Sequence, residues 1–439
     1  MRISAIRLKH LPPFEDVTLV FPKKQEEPIG EVQIITGQNG TGKTRLLCAL
    51  ASVLGNPTNL ASRTSETTIE YGAAVETLKQ DFFYWKGKQG IRSGTMQTGT
   101  AIDFLRRDEP GGAISPNFSR SVGFPDFRHR LTAENELSSA LAFRGTTKVN
   151  DSKVVPMKTL PVSDLVNNLD FDRADQSEFI LQAMTNLKMA SAMEYLSKPN
   201  DDATPLSRST QIMSRLEAAV STVSGKPFSF EVVPHPELRI RVRWGNDRMG
   251  FGVLPDGLRS IIGFLVSCAS RMAVDFPEHE NPLDIPIVIL MDEPETHLHP
   301  AWQQRLIPAA QQLLPNSQMF VVTHSPFVIS SVNSGYVHVL TEIEGKISVS
   351  EPMECSKGDT WVDAVEDALG LKTWYDPETE TMLAEFRNLR QAVLLEERGM
   401  GELQLLASRI ASRSQSLSQM MGREMVQVNQ ILQKAIASK

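Results

Sequence analysis

The chain has few cysteines, three in 439 residues, and Cys48, Cys268 and Cys355 share no disulfide or metal-binding spacing. They build no disulfide framework and no Cys-x-x-Cys zinc or redox site. So sparse and odd a set is expected of a reducing, cytoplasmic setting. Apolar runs are short as well. None approaches the roughly 20 residues of a membrane-spanning helix. The first residues lack a charged-then-apolar leader pattern, so no membrane partner is expected. A basic excess is also missing, because 45 Lys and Arg stand against 52 Asp and Glu, for a net charge of −7. That excludes a general nucleic-acid coat while leaving room for a local patch. What is present is ample apolar material, 41% of 439 residues, enough for a sizeable core and about two to three domains.

Gly37-Gln38-Asn39-Gly40-Thr41-Gly42-Lys43-Thr44 fits the pattern G-x-x-x-x-G-K-[ST]. It follows a short apolar strand, Val32–Thr36, and opens an amphipathic helix beginning Arg45-Leu46-Leu47. A Gly-rich turn between strand and helix aims backbone N–H groups and the helix dipole at a phosphate. Lys43 is placed to reach the β- and γ-phosphates of ATP, and the Thr44 hydroxyl to ligate Mg²⁺. A second motif answers the first. Ile285 to Leu290 is an unbroken apolar run ending in Met291-Asp292-Glu293-Pro294. It reads as a strand buried on both faces of a mainly parallel sheet. Asp292 is the candidate Mg²⁺ carboxylate, and Glu293 the candidate general base for the attacking water.

These residues resemble a known family. Asp292 to Pro300 looks like the Walker B and D-loop of ABC-type ATPases, in the branch that includes RecF, the SMC proteins and the OLD nucleases. The phosphate loop, Asn39 included, follows the G-x-N-G-x-G-K-[ST] form of that branch. Met1 to Leu8 with Phe14 and Leu19–Phe21 resembles its opening β-hairpin. Phe320-Val321-Val322-Thr323-His324 is similar to the strand ending in its switch histidine, which implies that His324 contacts the γ-phosphate. The signature motif departs from the family. Its best candidate is Leu254-Pro255-Asp256-Gly257-Leu258-Arg259-Ser260, with Pro255 where serine is expected. The resemblance implies that Asp256 and Gly257 complete the ATP site of a partner subunit. The same motif resembles the ATPase of Septu-type anti-phage systems and its retron-linked relatives.

The fold expected is α/β: an ABC-type, RecF/SMC-like ATPase head with a mixed sheet and flanking helices, plus a helical insertion and a helical carboxyl tail. Walker A and the signature candidate stand about 210 residues apart, more than a compact head needs. Residues 1–78 form one expected lobe and 228–345 the other. An irregular and helical subdomain, 79–227, is inserted between them, and 346–439 is a helical region suited to docking a partner. From Lys79 to Asp151, Gly, Ser, Thr and Arg predominate, and this stretch reads as loop. Arg92, Arg106, Arg107, Arg120, Arg128, Arg130 and Arg144 alternate there with Phe104, Phe118, Phe124 and Phe127. Such interleaving suits single-stranded nucleic acid. A salt-bridged subdomain is the favoured alternative, since Asp103, Asp108, Glu109 and Asp126 sit among the arginines. Helices are expected over Ser163–Leu196 and Ser207–Val223. In the strand Leu238–Trp244, Arg239, Arg241 and Arg243 share one face, a solvated face or a stripe for phosphates. Gln80, Gln89 and Gln97 are equal candidates for the family's Q-loop glutamine. His297 and His299 lack the further ligands of a zinc site and read as D-loop structure.

About 115 residues follow His324, with no Asp-x-Asp, no His cluster and no Cys-x-x-Cys. An OLD-like Toprim or an HNH nuclease is therefore not expected within this chain. Asp359 to Glu366 begins like a capped helix. After Gly401 one long helix is expected, striped by Leu405, Leu406, Ile410, Leu417, Met421, Val428, Ile431 and others. The leading expectation is an ATPase that forms a homodimer or higher oligomer around ATP and Mg²⁺. It would regulate a separate effector, an HNH or Toprim nuclease, in anti-phage defence. The alternative is a compact RecF-like repair ATPase acting on DNA ends or gaps. A transporter subunit fits less well with the phosphate loop and the insertion.

Overall fold

The anticipated amino-terminal hairpin is present in the computed structural model, as β1 (Arg2–Leu11) paired antiparallel with β2 (Phe14–Val20). The structure describes residues 1–23, 30–56, 60, 69–76, 81–87, 90–95, 139–146, 150–151, 154–155, 158, 160, 168–171, 177–197, 207–233, 238–332, 334–355, 361–369, 375–395 and 399–437. β3 (Glu31–Gly37) leads through the Gly-rich loop into α1 (Lys43–Val53). The hairpin sheet then grows by β4 (Glu70–Glu76), β5 (Asp81–Gly87) and β6 (Gly90–Thr95), in the antiparallel order β2-β1-β4-β5-β6.

The reading of Lys79–Asp151 as loop is thus corrected at both ends. Residues 81–87 and 90–95 pair as antiparallel strands, because the run Phe82-Phe83-Tyr84-Trp85 is rich in strand formers. β7 (Ser139–Arg144) joins the central sheet. Arg106, Arg107, Arg120, Arg128 and Arg130 with their interleaved phenylalanines lie outside the described residues, as do Gln80, Gln89 and Gln97.

Two helices follow, α2 (Ser177–Ser197) and α3 (Arg208–Ser224). The first starts later than Ser163; residues 161–167 and 172–176 are outside the described residues. Ser207 caps α3 by accepting the Thr210 N–H, and Gly225, at φ 70°, ends it. A three-stranded sheet of β8 (Phe228–Val233), β9 (Arg239–Trp244) and β10 (Asp247–Met249) comes next. Ile240 and Val242 of β9 are buried while Arg239, Arg241 and Arg243 are exposed. Arg243 pairs with Glu231 across the strands, Nη2 to Oε1 2.5 Å, so this stripe is a salt-bridged, solvated face.

The remainder of this unit runs α4 (Asp256–Asp275), β11 (Ile287–Asp292), α5 (Pro300–Leu313), β12 (Ser317–Val322), α6 (Pro326–Ile329), β13 (Gly335–Ile343), β14 (Lys346–Val349) and β15 (Met353–Glu354). A helical turn at Trp361–Asp363 continues as a π-helical turn, Ala364–Ala368. The central sheet has seven strands in the order β14-β13-β3-β12-β11-β7, with β15 also on β13. From β13 to β7 all neighbours are parallel, while β14 and β15 run antiparallel to β13. The sheet is therefore mixed, as expected.

Its strands are apolar on both faces. Ile287, Ile289 and Met291 of β11 join one core cluster, and Val288 and Leu290 the other. β12 divides the same way, Met319 and Val321 against Phe320 and Val322, as a period of two requires. The first cluster takes Met184 from α2, Leu216 from α3, Phe264 from α4 and Leu306 from α5. The second takes Leu46 and Leu50 from α1 and Ile6 and Leu8 from β1. Each fully buried Leu, Ile or Phe is worth about 1.5–3 kcal/mol. α4 corrects the expectation that no segment is long and apolar enough to cross a membrane. By length and composition it is, but most of its residues are buried in this core.

Residues 370–439 form a second compact unit. It contains α7 (Pro377–Leu394), α8 (Met400–Ala411) and α9 (Gln415–Ala437). The single helix expected after Gly401 is therefore two, separated at residues 412–414. Its apolar stripe is divided too. Leu406, Ile410, Leu417, Met421 and Val428 pack with Met382, Phe386 and Leu389 of α7, whereas Leu405 and Ile431 are exposed.

Candidate functional site

The carboxyl ends of β3, β11 and β12 carry the motifs to one place, where ligands gather in open parallel sheets. Gly37, Gly40 and Gly42 all have positive φ. Gly42 is the N-cap of α1 at φ 89°, and a Cβ there would stand 2.7 Å from the Phe14 ring. Only glycine meets both demands. No side chain caps α1 and its first turn has no acidic residue, so its orphan N–H groups and positive dipole end are left for an anion. Asn39 is exposed on the loop, and Thr41 Oγ1 donates to the Gln38 carbonyl at 2.9 Å.

Lys43 is buried and folds back on its own loop, Nζ donating to the carbonyls of Gly37 at 3.0 Å and Gln38 at 2.7 Å. Burial pulls its pKa below the ordinary lysine value, and the nearby charges of Glu293 and Asp292 oppose that shift. The Thr44 hydroxyl donates to Asp292 Oδ1 at 3.2 Å. This contact joins the two motifs across 248 residues of sequence. Asp292 is buried at the end of β11. Glu293 turns outward, exposed and left-handed at φ 47°, with its N–H on the Val322 carbonyl at 2.9 Å.

His324 lies just past β12, half-buried. Burial lowers its pKa first, and the Lys43 charge lowers it further, against an opposing pull from Glu293. Its imidazole is thus kept neutral near neutral pH, and Lys43, Glu293 and His324 are electrostatic neighbours. Lys43, Thr44, Asp292, Glu293 and His324 are therefore brought together as anticipated. Asp256 and Gly257 are placed elsewhere. Gly257 packs on the D-loop of its own chain, where a Cβ would lie 2.8 Å from the His297 carbonyl oxygen. Asp256 is exposed and stands 3.6 Å from Arg259. Pro255 is the N-cap of α4 and contributes no side-chain cap.

Three contributors were not read from the motifs. Arg144, at the end of β7, sets Nη2 3.3 Å from Asp292 Oδ2. Glu295 accepts at Oε1 from the Thr323 hydroxyl at 2.6 Å and from the His324 N–H at 3.1 Å. Its other oxygen, Oε2, is buried without a hydrogen-bond partner, and burial raises its pKa above the ordinary carboxyl value. Gln303 of α5 links the D-loop to the switch region, its amide donating to the Leu298 carbonyl and its oxygen accepting from the Ser325 hydroxyl. A carboxylate after Walker B was visible in the sequence, but its pairing with Thr323 was not.

The residues present fit a magnesium nucleotide. The uncapped α1 start and Lys43 suit phosphate oxygens, and Thr44 and Asp292 are hard oxygen donors of the kind Mg²⁺ shares with phosphates and water. Among the described residues no group of three His, Cys, Asp or Glu side chains forms a separate metal centre. His299 instead caps α5, Nδ1 accepting from the Ala301 N–H at 3.2 Å.

A family model described as "AAA domain, putative AbiEii toxin, Type IV TA system" matches residues 33–330. Among curated proteins, the "Retron Vc95 probable ATPase" of Vibrio cholerae is 24% identical over 231 residues, covering 51% of this chain and 44% of that protein. The "Septu protein PtuA" of Bacillus thuringiensis is 24% identical over 163 residues, covering 36% of this chain and 41% of that protein. The matched stretch is thus less than half the length of either relative. The SMC head domain from Thermotoga maritima aligns over 80% of this chain and 99% of its own, at TM-score 0.40 and 15% identity.

Proposed function

The chain belongs to the AAA-domain family defined by that match, an ABC-type ATPase of the RecF/SMC/OLD branch, and on this premise we propose that it binds and hydrolyses ATP, dimerises around the nucleotide and regulates or scaffolds a separate effector nuclease in bacterial anti-phage defence. The observation that carries the reading is the Thr44–Asp292 contact, 3.2 Å, with Lys43, Glu293 and His324 around it. The relatives named as a retron ATPase and as PtuA support the setting.

Bound magnesium would neutralise phosphate charge and polarise the bond to be broken. Everything else is done by this chain. The N–H groups of the loop and of α1 cradle the phosphates, Lys43 leaves its loop carbonyls for the β- and γ-oxygens, and Thr44 and Asp292 hold the metal. Glu293 takes a proton from the attacking water, and its exposed, outward turn gives it access to that water. His324, neutral, donates to the terminal phosphate. Asp256 and Gly257 start a helix that does not cap its own chain's site, so a second copy supplies that lid across a two-fold axis. Effector docking is assigned to the second unit, where Leu405 is 67% exposed beside Ala384 and Ala392.

The test is nucleotide-dependent assembly. The Glu293→Gln protein, sized with and without ATP, is expected to dimerise only with ATP. Purified with the products of neighbouring genes, the parent chain is expected to retain an HNH or Toprim protein, and Leu405→Glu to weaken that retention without loss of fold. Cleavage of DNA by the chain alone with Mg²⁺ or Mn²⁺ sinks the separate-effector reading.

A further inference from the structure

The helix assigned above to cover a partner's nucleotide, α4, starts without a side-chain cap, because its N-cap is Pro255. A serine there would cap it. The residues just ahead, Phe251–Val253, make one 3₁₀ turn, and its N-cap, Gly250, has no side chain to offer either. The first N–H groups of a helical turn find no acceptor within it.

At this turn the acceptor comes from 100 residues earlier in the chain. Asp151 Oδ1 accepts from the Phe251 N–H at 3.1 Å, and Oδ2 from the Gly252 N–H at 3.2 Å. Bonds of this kind to a carboxylate are about twice as strong as neutral ones. The turn is shaped to admit them. A Cβ on Gly252 would stand 3.0 Å from Oδ2, and one on Gly250 3.4 Å from Oδ1. Beneath the turn, Phe251 is fully buried and stacks on Phe230, with ring centroids 6.4 Å apart. The other end of the clamp is anchored too, since the Asn150 N–H donates to the Ser177 hydroxyl of α2 at 2.7 Å.

Only two residues separate the turn from α4, and neither has much freedom. Leu254 is buried, with its N–H on the Phe251 carbonyl at 3.1 Å. Pro255 has its φ fixed by the ring, and its carbonyl accepts from the Arg259 N–H at 3.0 Å. A displacement of the turn is therefore passed on to Asp256 and Gly257. The phosphate loop and the metal carboxylate of the same chain stand on other elements, β3, α1 and β11.

We infer that Asp151 is a positioning residue for hydrolysis in the partner's site. By gripping the Phe251 and Gly252 N–H groups it sets where Asp256 and Gly257 meet the partner's γ-phosphate, in place of the cap that a serine at position 255 would supply. This rests on the nucleotide-bridged dimer proposed above.

The test is complementation between variants. Asp151→Ala is expected to lower ATP turnover by about tenfold to a hundredfold, the cost of a small misplacement around a reacting centre. Its affinity for ADP, which needs no lid, should stay within about threefold of the parent's. Lys43→Ala loses its own phosphate site but keeps its lid. Turnover of the two variants mixed in equal amounts should clearly exceed the sum of the two measured apart. In the mixed dimer the intact loop of the Asp151→Ala chain meets the intact lid of the Lys43→Ala chain. Glu293→Gln mixed with Lys43→Ala has no such pairing and should stay inactive. Asp151→Asn keeps one acceptor oxygen and should fall between parent and Asp151→Ala. It carries the same test should Asp151→Ala unfold on a melting curve. Unchanged turnover in Asp151→Ala, a matching loss of ADP binding, or no recovery on mixing would each overturn the proposal. Failure of the dimer reading looks different, because Glu293→Gln then stays monomeric with ATP, and that result ends both.

Discussion

The first unit buries two polar clusters, each with a histidine, a carboxylate and a basic side chain, and only one of them is built like a site. Between the hairpin sheet and the central sheet, Arg2 binds Glu31 through Nε at 2.6 Å and Nη2 at 2.8 Å. Gln318 pairs with both backbone groups of Ile3 at 2.8 Å, and Gln33 Oε1 meets His338 Nε2 at 2.7 Å. Every group named there is matched within the chain. At the other cluster Lys43 rests on its own loop, Asp292 is held at 3.2 and 3.3 Å, and Glu295 Oε2 has no partner. Buried polarity alone does not mark a site. The second cluster differs in holding a buried carboxylate oxygen, Glu295 Oε2, without a hydrogen-bond partner, an arrangement that costs about 1–3 kcal/mol.

Substitutions that separate the two clusters test this contrast, and the largest effect is expected at Glu293. Glu293→Gln keeps shape but removes the base. Phosphate release should fall by about 10²–10⁴, with nucleotide still bound and the melting curve unmoved. Turnover equal to the parent's would end the assignment.

His338 should affect stability and leave the nucleotide alone. Burial depresses its pKa to about 4. The unfolded chain therefore takes up a proton near pH 6.5 that the folded chain refuses. Stability is full above that pH and falls as pH drops towards 4, by about 3 kcal/mol in all. His338→Gln should flatten that acid slope in denaturant titrations while ATP affinity stays constant. An unchanged slope, or altered ATP affinity, would blur the contrast.

Lys43→Ala should lower ATP affinity by at least about tenfold, or 1.4 kcal/mol, with little loss of stability, since only loop carbonyls lose a partner. Direct binding with a labelled nucleotide reads the first effect and a melting curve the second. The smallest effect is expected at Glu295. Its raised pKa means that its stabilising contribution is present below the ordinary carboxyl range and lost as pH rises through the folded value. Glu295→Gln should therefore gain on the parent in melting temperature at pH 8 but not at pH 4. An equal gain at both would show that ionisation is not the cause.

Much of this site was legible in the order of residues, because its motifs are local. Gly37–Thr44 and Asp292–Glu293 each need only a strand end and a turn, and the alternation in β11 and β12 gives both buried faces. Arg144 was visible only as one arginine among several. What makes it part of the site is its register opposite Asp292, which depends on a strand pairing 148 residues apart. The strand pair β5–β6 was obscured by the Gly, Ser and Thr around it. The break at residues 412–414 was hidden because the apolar spacing continues across it, and only packing on α7 reveals two helices.

The strand order has a bearing on how the chain is made. β12 lies between β3 and β11 and keeps register with both. A nascent chain that has emerged only as far as Glu293 already displays both Walker motifs, but the strand that hydrogen-bonds to both β3 and β11, residues 317–322, has yet to arrive. A product cut short ahead of β12 is therefore expected to bind ATP less well than the full chain, though it contains both Walker motifs, and a labelled nucleotide checks this.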